Sequence, residues 1–308
     1  MNTTTNINGL RHYGHKNIIK GALILSLILS LIGGVSAATL YCGSCTNCTT
    51  TINSATNGDI VKLTQNISTT GTCILFENNN RTFDCQGYTI DGDGDAPGWH
   101  FGIYLNGKSN DTIKNCIITD FNEGIYLSSS SNNILTNNIV NNNTWRGISL
   151  ESSSNNTLTN NTANNDNNYG IELDSSSNNI LTDNTAKENN QGIVLGSSSN
   201  NTLTNNTAND NGDNGISLDS SSNNTLTGNT ANNNTYDGIS LESSSNNTLT
   251  SNTANDNNYA GIFLLFSSNN TLTGNTANNN TNWGIILNSA SNNTLTGNTA
   301  NNNRLVAK

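Results

Sequence analysis

The chain has 308 residues, of which 11 are lysine or arginine and 21 aspartate or glutamate; only 10% are charged and 32% hydrophobic. The acidic balance excludes the basic footprint that nucleic-acid binding requires. So low a hydrophobic content would by itself indicate disorder, but a fixed repeat of 22–23 residues overrules that, because it supplies apolar columns that composition conceals.

Residues 1–37 read as a signal peptide. Arg11, His12, His15, Lys16 and Lys20 make a basic start, Ala22 to Val35 is apolar, and Val35-Ser36-Ala37 fits a small-residue cleavage site. An uncleaved membrane anchor is the rival, although the apolar run falls short of the about 20 residues a span needs. Cleavage would leave eight basic and twenty-one acidic side chains, a net −13. No second apolar run follows, so the mature chain is expected to be secreted or at the cell surface.

Residues 38–101 are expected to form an N-terminal cap and the first rungs. All six cysteines lie early, at Cys42, Cys45, Cys48, Cys73, Cys85 and Cys116. An even count behind a signal peptide reads as disulfides that staple the cap; their connectivity stays open. Cys42-x-x-Cys45-x-x-Cys48 could instead hold a soft metal, but no histidine or fourth nearby cysteine completes a tetrahedral set. After Ile90, Asp91, Asp93 and Asp95 alternate with Gly92 and Gly94. That stretch is similar to a short calcium loop but lacks the downstream glutamate, and an acidic glycine turn accounts for it.

From residue 102 to 308 the chain repeats itself. Gly102-Ile-Tyr-Leu105 is a divergent first unit, and eight units follow from Gly124, Gly147, Gly170, Gly192, Gly215, Gly238, Gly261 and Gly284. Apolar residues alternate with polar ones in short runs such as Ile148-Ser-Leu150 and Thr157-Leu-Thr159, the period of strands and not of helices. A leucine-rich repeat would need a leucine triple and a different return leg. Each unit is therefore about three short parallel strands joined by corners. It can bury its apolar face only by stacking on the next at about 4.8 Å. Stacking generates columns headed by Ile125, Leu127, Leu135 and Val140, the last continuing as alanines from Ala163 to Ala300 and implying a narrow corner. Asn138 and its equivalents Asn161, Asn184, Asn206, Asn229, Asn252, Asn275 and Asn298 form an inward amide ladder, each donating and accepting between rungs. Cys116 occupies the ladder position 22 residues before Asn138, so it should lie one rung from Cys85. The residue before each ladder asparagine (Asn160, Asp183, Asn205, Gly228, Ser251, Gly274, Gly297) is mostly of a type that tolerates a left-handed backbone.

With these motifs the chain, from about Asp59 onward, resembles the right-handed parallel β-helix repeat family, and more narrowly the NosD-like and carbohydrate-binding or sugar-hydrolase β-helices of secreted and archaeal surface proteins. The resemblance implies an all-β, single-stranded, right-handed parallel β-helix. Its functions range over lyases, hydrolases, epimerases, adhesins and surface-layer proteins, so function must come from the site. Copper, which the NosD likeness raises, is excluded within the repeats: Met1 is the sole methionine and His100 the sole histidine after the leader.

Glu151, Asp174, Asp219 and Glu242 follow the strand leucine on one outward row, with Glu172 two residues before Asp174. They read as a solvated acidic stripe. The sharper readings are a calcium ion shared by Glu151, Glu172 and Asp174, the only cofactor the sequence suggests, or the paired carboxylates of a polysaccharide lyase or glycoside hydrolase. The family's enzymes carry a basic residue beside the acids, and only Arg146 or Lys187 is available here. Trp145, Tyr169, Tyr236, Tyr259 and Trp283 sit just ahead of the strand glycine. Exposed, they would stack sugar rings; packed into the corner, they are structural. The Thr-x-Thr rungs could present an ice-binding face, although threonine is also an ordinary exposed strand residue. Sequons at Asn155, Asn160, Asn200, Asn223, Asn246, Asn269 and Asn292 suggest a glycoprotein, but adjacent rungs are too close for every site to carry a glycan. The unit that should follow Asn303 is missing, so the C-terminal end reads as uncapped and open to self-association. The expectation is a structural, adhesive or carbohydrate-binding β-helix whose partners are extracellular polysaccharide or cell-envelope components.

Overall fold

The structure, a computed structural model, describes residues 37–94 and 98–305. Asp95, and the expected signal peptide apart from Ala37, lie outside the described residues. Ala38–Lys308 forms one compact unit. It is a parallel β-solenoid, as the repeat requires. Between Ile60 and Asp174 each turn contributes one strand to each of three faces. A twelve-stranded sheet runs from Thr39–Cys42 to Thr294–Thr296, a ten-stranded sheet from Ile74–Phe76 to Trp283–Asn288, and a five-stranded sheet from Ile67–Ser68 to Thr162–Asn164. All pairings are parallel and in the register of the repeat: Ile148 pairs with Ile125 and Ile171, Leu158 with Leu135 and Leu181. Beyond Thr162 the third face thins to single bridges, from Thr162–Thr185 to Thr276–Thr299. The thinning begins where Ile118 and Val140 give way to the alanine column.

The core is the stack of columns. The isoleucine, leucine and alanine columns are fully buried over most of their length, and cover is lost only at Leu287, Leu295 and Ala300. At 25 cal/mol per Å² of apolar area removed from water, repetition and not any single large side chain makes this core.

The corners carry a second, polar core. In the unit from Gly147 each of four corners places one residue at positive φ: Ser152 (50°), Asn155 (61°), Asn160 (55°) and Asn165 (57°). The next residue, respectively Ser153, Asn156, Asn161 and Asp166, turns inward and is buried. Asn161 Nδ2 donates to Leu135 O at 2.9 Å and to Asn184 Oδ1 at 3.0 Å, while its own Oδ1 accepts from Asn138 N and Nδ2. The serine ladder works alike: Ser176 Oγ donates toward Asp174 O and Leu150 O and accepts from Ser153 N. Four ladders run along the axis where one was expected. Side chains thereby satisfy the backbone groups that each tight corner leaves unpaired.

The strand glycine is fixed by close approach. A Cβ at Gly170 would lie 2.8 Å from the Ala186 Cβ and 2.9 Å from the Ala163 carbonyl oxygen. The alanine column and the glycine column are thus one constraint, the narrow corner seen from its two sides.

The N-terminal part departs from expectation in two ways. The coil begins at Thr39–Cys42, which pairs with Ile60–Leu63, ahead of Asp59, from which the family resemblance runs. An α-helix, Cys45–Ser54, covers the first rungs, its N-cap Ser44 accepting from Asn47 N. It was hidden because it lies outside the repeat and is rich in threonine and asparagine, poor helix formers. Disulfides Cys42–Cys48 and Cys45–Cys73 pin it, and Cys85–Cys116 ties neighbouring rungs. No cysteine is free among the described residues, which removes the soft-metal alternative.

Candidate functional site

Along each strand of the ten-stranded sheet the Ile and Leu point inward, so the residue before the glycine, the second after it and the fourth after it face out. Three outward rows result, and they bring unlike side chains together near the N-terminal third.

Arg146 stands at the centre. Its Nη1 meets Glu123 Oε1 at 3.2 Å on the rung before, and its Nε meets Glu172 Oε2 at 2.7 Å on the rung after. The guanidinium carbon lies 5.6 Å from the Trp145 ring centroid and 5.7 Å from that of Tyr169. Trp99 packs edge-on to Trp145 at 6.2 Å. Glu123 and Glu172 are almost wholly buried. Burial pushes their carboxyls up to about 6 and about 7, and Arg146 pulls both back. The two carboxylates hold the guanidinium in place and leave the rings beside it as a rigid platform, with Trp145 39% and Trp99 52% exposed.

Next to this platform Phe101, Tyr104 and Tyr126 stack, with centroids 4.8–5.4 Å apart. The Tyr126 hydroxyl donates to Glu151, and burial together with that carboxylate raises its pKa. The signal for this stack was a tyrosine at the same place in two successive units, Gly102-Ile-Tyr104 and Gly124-Ile-Tyr126.

The expected acidic row is real in register: Glu151 pairs with Asp174 and Asp219 with Glu242, all four exposed. Glu172 does not share it. Its carboxylate is turned to Arg146 and Ser149 Oγ, which breaks up the proposed calcium triad. Among the described residues no group of three His, Cys, Asp or Glu side chains is arranged to hold a metal ion.

The five aromatics of the expected ladder occupy two rows. Trp145, Tyr236 and Tyr259 lie two residues before the glycine; Tyr169 and Trp283 lie one before it, Tyr169 paired with Arg146 and Trp283 with Ala260. Trp145 and Tyr236 are exposed, the other three half-buried. Only Tyr236 and Tyr259 stack on each other, 4.8 Å apart and 5° from parallel. Trp145, Tyr236 and Tyr259 precede their strands whereas Tyr169 and Trp283 open theirs, so one ladder was never available.

The family model for the right handed beta helix region matches residues 97–230, and that for the periplasmic copper-binding protein NosD matches residues 182–307. No curated protein matches by sequence. Among solved structures the chain is similar to the Azotobacter vinelandii mannuronan C-5 epimerase AlgE6 A-module, with TM-score 0.76 and 18% identity over 92% of this chain and 91% of that one. It is also similar to the periplasmic alginate epimerase AlgG (0.64, 16%, 79% and 75%) and to the Dettilon tailspike protein gp208 (0.69, 17%, 87% and 60%). At these identities the likeness is one of fold. Copper does not fit the residues present, since every described cysteine is in a disulfide and His100 is the one described histidine. Residues 97–307 thus match models of right-handed β-helix repeats, with a NosD-like region in the C-terminal half.

Proposed function

We propose that this chain is a polysaccharide-binding protein of the cell exterior or periplasm, and that its contact surface is the outer face of the ten-stranded sheet around Arg146. The carrying observation is the platform itself: exposed Trp99 and Trp145, with Arg146 locked between Trp145 and Tyr169 by two buried carboxylates. Rings held rigid before binding lose little entropy when a sugar face stacks on them. Glu151 and Asp174 at the rim accept hydrogen bonds from hydroxyls. Three disulfides suit an oxidising compartment, and the similar folds that act, by their names, on mannuronan and on alginate agree with a glycan partner.

Affinity electrophoresis through gels of neutral, acidic and aminated polysaccharides tests the reading. Retardation by at least one polymer, weakened tenfold or more in Trp145→Ala with an unchanged circular dichroism spectrum, is the expected result. No retardation by any of them would overturn it. One observation favours a second reading: five consecutive Thr-Leu-Thr strands, Thr202–Thr204 to Thr294–Thr296, pair in register on the twelve-stranded sheet. Thermal hysteresis abolished by Thr227→Tyr would move the function to that ice-binding face.

A further inference from the structure

A second aromatic pair stands on the same sheet, four rungs from Trp145 and so about 19 Å away at 4.8 Å per rung. The Tyr236 and Tyr259 rings are stacked, with Phe263 edge-on to Tyr259 at 6.1 Å and Tyr236 45% exposed. As at the first platform, a buried carboxyl adjoins the rings. Asp237 is wholly inaccessible; its Oδ1 accepts from Ala260 N at 3.0 Å, and its Oδ2 has no hydrogen-bond partner. Asp213, half-buried on the rung before, is held by Gln191 Nε2 at 3.1 Å.

The two places differ in one respect. At the first, Arg146 supplies the cation that lies over the rings and neutralises Glu123 and Glu172. At the second there is none: residues 192–303 contain six acids and neither lysine nor arginine. A buried carboxyl without a cation is pushed toward its neutral form, and burial takes Asp237 up to about 8. Tyr236 has its pKa raised by burial and then by Asp237, Tyr259 and Asp213. A ligand cation settled on the tyrosine faces would be favoured by the ring quadrupoles and by the Asp213 carboxylate, and its charge would in turn favour loss of the Asp237 proton.

Resting on the polysaccharide reading above, we infer that Tyr236, Tyr259, Asp213 and Asp237 form a subsite for the amino group of an aminated polysaccharide, the sugar's ammonium taking the place that Arg146 occupies four rungs away. The exposed Asp219 and Glu242 on the neighbouring row extend the same preference, and they repel polyuronate.

Isothermal titration of the whole mature chain at pH 6, where glucosamine amines are protonated, decides the matter. The probes are the glucosamine hexamer, its fully N-acetylated counterpart, a hexauronate and hexalysine. The glucosamine hexamer should bind at least tenfold more tightly than the N-acetylated one, with the hexauronate weakest. Asp213→Asn and Tyr259→Ala should each remove most of that gain without changing affinity for the N-acetylated chain. Equal affinity for the two glucosamine chains, or a gain that survives both variants, overturns the inference. So does hexalysine binding as tightly as the glucosamine hexamer, since the site would then read charge and not sugar. If uncharged oligosaccharides bind and lose affinity in Trp145→Ala, the polysaccharide reading stands whatever becomes of the subsite. If no oligosaccharide binds, both fall.

Discussion

Asp166 shows how strictly a single side chain is judged inside this coil. It occupies the ladder position held on the adjoining rungs by Asn143 and Asn189. Its Oδ1 does what an asparagine oxygen does, accepting from Asn143 N and Nδ2 at 2.8 and 2.9 Å. Its Oδ2 stands where an amide nitrogen would donate, and it has no partner. Burial pushes the carboxyl up to about 8. Asp166→Asn restores the donor and should stabilise the protein by about 1–3 kcal/mol at pH 8 in urea unfolding. Asn184→Ala should cost about the same or more, because it strands the donors of Asn161 and removes two donations, to Leu158 O and Asn206 Oδ1. The sequons have a similar explanation. In each of Asn155, Asn200, Asn223, Asn246, Asn269 and Asn292 the first asparagine is the left-handed corner, the second the ladder, and the threonine opens the strand. Corner geometry therefore produces that triplet without any glycan.

Between elements, the tightest joint is the glycine–alanine corner. Gly170→Ala drives a methyl group into Ala186 and the Ala163 carbonyl and should destabilise by about 1–3 kcal/mol, the usual cost of overpacking. Gly196→Ala, where the new Cβ would find only Asp174 Oδ1 at 3.7 Å, should stay within about 0.5 kcal/mol. The cap is expected to open before the rest of the coil. Because each rung touches only its neighbours, reducing Cys42–Cys48 and Cys45–Cys73 should speed amide exchange over residues 39–63 while the strands from Arg146–Glu151 to Ile239–Glu242 keep their protection. Uniform loss of protection would show that the coil unfolds as a whole.

For the whole molecule, pH is the lever. Burial raises Asp111 and Glu123 to about 6, Glu172 to about 7, and Asp166 and Asp237 to about 8, from ordinary values of 3.8 for aspartate and 4.5 for glutamate. Between about pH 4 and pH 8 the folded chain therefore holds more protons than the unfolded one, and stability falls as pH rises through that window. Asp59, lowered by its hydrogen bonds to Ala38 and Thr56, acts the other way and only below its ordinary value. Melting temperature should be higher at pH 5 than at pH 8 by about 5 °C or more, and the double variant Asp166→Asn, Asp237→Asn should flatten the difference. A profile rising from pH 5 to 8 would contradict the burial of these acids.

The solenoid, its register, its apolar columns and the left-handed corners were legible in the sequence, because a repeat of fixed length forces equivalent residues into contact whatever the details of packing. The cap helix and the start of the coil at Thr39 were not, since they lie where the repeat gives no guidance. Nor was the site. That Arg146 binds Glu123 and Glu172 across three rungs, that Tyr126 reaches Glu151, and that the aromatics divide between two rows all depend on how side chains of different rungs turn toward one another. Periodicity assigns each residue to a rung and a face; the direction and reach of the individual side chain, and the burial that sets its charge, exist only once the rungs are stacked.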